Sequence, residues 1–86
     1  MHAIPENFDE LDRLIGLNLR RTRVARKVSR RELAGIHYIT EAVLQEMEDG
    51  KRPISTELLQ GFCRYLQVDA AEMYVKAAYM IVNNTQ

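Results

Sequence analysis

Four carboxylates, Glu41, Glu46, Glu48 and Asp49, fall in the stretch Thr40-Glu-Ala-Val-Leu-Gln-Glu-Met-Glu-Asp-Gly50, which carries no cation. The segment just before it, Arg13 to Arg31, holds eight of the chain's twelve Lys and Arg residues. A strongly basic chain would point to nucleic acid by composition alone. Here twelve acids balance twelve bases, so the signal lies in how the charges are distributed.

The other reactive side chains offer little. His2 and His37 are too few and too far apart to build a metal site with Cys63, the single cysteine. A lone cysteine also excludes an intrachain disulfide. Cys63 stands at a small-residue position of a helix and reads as an inert buried thiol, since Arg64 alone gives thin support for a redox role. There is no glycine-rich phosphate loop and no Ser/His/Asp set with plausible spacing. Neither an enzyme nor a bound cofactor or metal is expected.

The elements that carry these charges are helices. Eighty-six residues make one domain, or one domain with an extra terminal helix. A chain this short buries only about 60–65% of its unfolded surface, which makes burial against a second copy a reasonable expectation. No apolar run is long enough to span a bilayer, and Met-His-Ala-Ile-Pro-Glu lacks the pattern of a secretion signal. A soluble cytoplasmic protein is expected.

Apolar/polar alternation is absent, and the apolar residues recur at helical spacing. A first helix is expected to open near Asn7 or Asp9 and to bury Phe8, Leu11, Leu14 or Ile15, Leu19 and Thr22, with Gly16 allowing a break. Ser29 with Glu32 reads as a capping box opening a second helix, Arg30 to about Ile36, which buries Leu33, Ala34 and Ile36. After His37-Tyr38-Ile39, Thr40 caps a third helix that buries Val43, Leu44 and Met47 and stops at Gly50. Ser55 caps a fourth helix with Leu58, Leu59, Phe62 and Leu66 inward. Asp69 and Glu72 form a second capping box, opening a fifth helix. The reading is all-α.

Two short helices joined by three or four residues form a helix-turn-helix unit. The chain resembles the lambda-repressor-like family, the Cro/repressor or XRE type of DNA-binding domain. The resemblance rests on Ile15-Gly16, Leu19-Arg20, Arg23, Val28-Ser29, Arg31-Glu32-Leu33-Ala34, Leu44, Met47-Glu48, Gly50-Lys51 and Leu66-Gln67-Val68, and covers roughly residues 14–75. It implies a five-helix domain. The chain then divides into an N-terminal extension over 1–13, helical and either continuous with or before helix one, a DNA-binding unit over 14–69 and a C-terminal helix over 70–86 expected to dimerise.

That likeness also implies roles. Glu48 should pair with Arg23 across the scaffold. Glu41, Ala42, Gln45 and Glu46 should face base edges, where glutamate can accept from cytosine and glutamine can pair with adenine. Arg30, Thr40, Lys51 and Arg52 should hold phosphates. The two glutamates depart from the family's usual Gln, Ser, Asn, Arg or Lys, and Tyr38 stands where the family usually has a turn glycine. The acids would then act by rejecting non-specific sites, or Glu41 would serve only the helix dipole. Met73, Tyr74, Ala77, Ala78 and Ile81 exceed what a small core needs and are expected at a homodimer contact.

The function these features imply is a prokaryotic or phage-type transcriptional regulator that binds an operator in double-stranded DNA as a homodimer. Regulation would come through concentration, dimerisation or a protein partner. The alternative is a helix-turn-helix protein-interaction module, antitoxin-like or adapter-like, with weak or no DNA binding. Neutral net charge, the acidic face and Tyr38 support it.

Overall fold

Three hydroxyl side chains start three of the helices. Ser29 Oγ accepts from Glu32 N at 3.0 Å, Thr40 Oγ1 from Val43 N at 3.1 Å and Ser55 Oγ from Leu58 N at 3.1 Å. Each satisfies an amide that the first helical turn leaves without a partner. In the computed structural model of the chain, residues 3–84 are described, with side chains described for residues 10–83. The order is α1 (Ala3–Ala25), α2 (Arg30–Ile36), α3 (Glu41–Glu48), α4 (Thr56–Leu66) and α5 (Ala70–Asn84), with no strand among the described residues.

Helix α1 begins at Ala3, earlier than expected, and runs unbroken through Gly16, so residues 3–13 form its first half. The glycine serves a close approach to α3: a methyl added there would stand 2.0 Å from the Met47 carbonyl oxygen. Phe8 lies outside the described side chains.

Leu19, Leu33, Ala34, Leu44, Met47, Phe62 and Leu66 form a core joining α1 to α4. A second cluster, Leu14, Ile15, Leu59, Cys63, Met73 and Ala77, fixes α5 onto α1 and α4. Side chains as fully enclosed as Phe62, Leu19 and Leu44 each contribute about 1.5–3 kcal/mol by leaving water. His37 stands edge-on to Phe62, with ring centres 4.8 Å apart.

Two expectations need correction. Ile36 is exposed, because α2 ends there and the chain turns away from the core. The capping box at Ser29 is only half formed: the Glu32 amide bonds the serine, but the Glu32 carboxylate accepts the Tyr65 hydroxyl of α4 instead of reaching back.

Candidate nucleic-acid interface

Helices α2 and α3 are joined by a turn whose backbone is fully specified. His37 N and Ile39 N both donate to Ala34 O at 3.1 Å, and Tyr38 N donates to Gly35 O at 3.2 Å. These bonds place Tyr38 at φ +59, the left-handed region that favours glycine, with its ring 97% exposed. The tyrosine therefore takes the glycine's backbone route, at a strain of about 1–2 kcal/mol. Ile39 packs against the core and pins the exit of the turn.

From Thr40 onward, the helical period sorts the side chains. Leu44, Met47 and Glu48 are buried, while Glu41, Ala42, Gln45 and Glu46 are exposed together on the opposite side. The four residues expected to face base edges thus share one solvent-facing surface.

The acids of α3 are not equivalent. Glu48 is buried and accepts from Arg23 Nε at 2.6 Å, Arg23 Nη2 at 3.1 Å and Arg30 Nε at 3.2 Å. Arg23 also donates to Val28 O at 3.0 Å, so one guanidinium ties α1, the α1–α2 turn and α3 together. Glu46 accepts from Arg52 Nε at 2.8 Å. Glu41 and Asp49 have no ion-pair partner among the described residues. Glu41 sits in the first turn, where a negative charge complements the helix dipole.

The expected phosphate-holding residues surround this surface with different degrees of freedom. Thr40 caps α3 through its hydroxyl. Arg30, expected as a free cation, is partly engaged by Glu48, and 30% of its side chain remains exposed. Arg52 is likewise paired, with Glu46, and half exposed. Lys51 is exposed, and its amide donates to Glu46 O at 2.8 Å. Sequence reasoning missed both the Arg30 and Arg52 pairings. The second depends on the turn at Gly50, φ +76, which folds Arg52 back beside α3.

The Arg13 hydrogen bond lowers the Glu10 carboxyl from its ordinary value. Burial pushes the Cys63 thiol up, which suits an inert side chain. Among the described residues, no group of three or more His, Cys, Asp or Glu could hold a metal ion, and no helix is long and apolar enough to cross a membrane.

On α5, Met73 and Ala77 are inside the monomer core, so these two expected contact residues already have partners in α1 and α4. Tyr74 and Ile81 are half-buried and Ala78 is exposed. The outward apolar stripe is instead Val75, Tyr79 and Val82, each at least 60% exposed. Their i, i+4, i+7 spacing is visible in the sequence. An open groove of about 470 Å³ runs between this stripe and α1, lined in part by Asn18, Arg21, Thr22 and Lys76. Asn18 Nδ2 is buried there without a hydrogen-bond partner.

A helix-turn-helix domain family matches residues 14–74, most of the chain. The chain belongs to this helix-turn-helix family. Two crystal structures of the clp gene regulator ClgR from Corynebacterium glutamicum resemble it. One is 31% identical with a TM-score of 0.79, covering 87% of this chain and 80% of that one. The other is 34% identical with a TM-score of 0.73, covering 79% of this chain and 87% of that one. Curated protein sequences gave no match. The family match supports the resemblance read from the helix-turn-helix residues, and the five-helix all-α fold agrees with it.

Proposed function

We propose that this helix-turn-helix protein is a transcriptional regulator that binds operator sites in double-stranded DNA as a homodimer, with α3 in the major groove. The observation that carries the reading is the exposed set Glu41, Ala42, Gln45 and Glu46, presented on one side of α3 with Arg52 paired to it through Glu46. Gln45 suits adenine, Glu41 suits the cytosine amino group, and Ala42 suits the thymine methyl. Thr40, Lys51 and the free edges of Arg30 and Arg52 would hold phosphates, which adds sequence-independent affinity. The likeness to a gene regulator over most of both chains supports a role in transcription.

The homodimer is supported by the apolar stripe Val75, Tyr79 and Val82 and by the unpartnered Asn18 amide in the adjoining groove. Two such domains must present their α3 helices about 34 Å apart to meet successive major grooves. The test is selection from a random duplex library. Two half-sites separated by about one helical turn are the expected product. Recovery of no preferred duplex would favour the protein-interaction alternative.

A further inference from the structure

We infer that Glu46 acts on DNA through Arg52: it is a positioning residue that aims the arginine at a phosphate of the duplex, so its negative charge raises affinity for the polyanion. This rests on the DNA-binding reading above. Glu46 Oε1 is 2.8 Å from Arg52 Nε and 2.8 Å from Arg52 Nη2, so one edge of the guanidinium is held by a single oxygen. The other edge, Nη1 and the second Nη2 proton, remains for an acceptor. Phosphate oxygens are the acceptors a planar guanidinium fork fits best.

The turn leading into Arg52 and the head of its side chain are both held before any ligand arrives. At its base, Lys51 N donates to Glu46 O at 2.8 Å and Gly50 N to Met47 O at 3.1 Å. Gly50 adopts φ +76 and abuts Arg13, where a methyl group would come within 2.6 Å of Cγ. At its head, the carboxylate restrains a side chain that otherwise has several rotamers to lose on binding.

The pair is not placed for stability. Its side chains are 48% and 47% exposed, and an ion pair in that setting contributes little to folding. An unpaired glutamate at this position would only repel phosphate. Paired, it is locally neutral and leaves the arginine's outer edge presented. Glu48, buried on the other side of α3, engages Arg30 Nε at 3.2 Å, so a second arginine is also held by an acid of this helix.

A double-mutant cycle on a selected duplex tests this, with melting temperatures confirming that every variant folds. E46Q removes the charge and keeps the shape. It is expected to weaken binding about 3- to 5-fold, the upper range for loss of an exposed ion pair. R52A should weaken binding by more and lower the salt slope by about one unit per protomer. E46Q added to R52A should cause no further loss. Glu41→Gln, at the unpaired acid, should raise affinity for unselected duplex DNA. E46Q binding as tightly as wild type or more tightly overturns the inference while leaving DNA binding intact. Wild type that binds no duplex overturns the DNA-binding reading itself.

Discussion

Arg23 and Glu48 form a two-pronged fork between α1 and α3, Nε to Oε2 at 2.6 Å and Nη2 to Oε1 at 3.1 Å, with the carboxylate wholly out of solvent. Such a pair fixes the direction of α3 more than it adds net energy. Breaking it from one side is costly, because the other charge stays buried. Glu48→Ala should lower unfolding free energy by about 3–5 kcal/mol in urea melts. Adding Arg23→Met should recover part of that loss, whereas a double variant worse than the single one would contradict this account.

The surroundings of two helical glycines predict opposite signs for their substitution. Gly16→Ala drives a methyl into the Met47 carbonyl and should destabilise the fold by about 1–3 kcal/mol, the range for overpacking. Gly35→Ala meets nothing within 4 Å on exposed α2 and should stabilise it by about 0.5–1 kcal/mol. Thermal melts of the two variants shifting in the same direction would refute the assignment.

The turn at Tyr38 carries strain that glycine would relieve. With φ at +59 and the ring in solvent, Tyr38→Gly loses no packing. Relief of the left-handed strain, less the added freedom of glycine in the unfolded chain, should raise stability by about 1 kcal/mol. A fall in melting temperature would mean that the exposed ring makes a contact of its own.

These cases mark what the sequence could reveal. Ser29, Thr40 and Ser55 announced their helices because capping is local, set by a hydroxyl and an amide three residues on. Arg23 with Glu48 came through the family likeness. The partners of Glu46 and Arg30 did not, since both depend on how helices and turns meet in space. Gly16 was ambiguous for the same reason: a helix break and a close crossing look alike in one dimension. On α5 the apolar surplus was visible, but which residues face α1 depended on packing, and Met73 and Ala77 proved to be core.

Alkaline pH should weaken the fold. Burial, and after it the charge of Asp69, push the Cys63 thiol above its ordinary 9.0, and a hydrogen bond to Glu32 pushes Tyr65 above 10.0. The folded chain keeps these protons at pH values where the unfolded chain has released them. The stability they contribute is full below pH 9.0 and declines as pH rises beyond it. Urea melts on either side of that pH should show the decline. Stability that rises with pH there would contradict the sign.

Half of the charge puzzle of the sequence resolves into pairing: arginines engage Glu46 and Glu48. Glu41 and Asp49 have no ion-pair partner among the described residues and must be outweighed by cations if α3 is to approach a polyanion. The most direct test is a salt titration of wild-type binding to a selected duplex. With Arg30, Lys51 and Arg52 of two protomers on phosphates, the logarithm of the binding constant should fall against that of salt with a slope of about −5. A slope near zero, or no binding even at low salt, would contradict the account.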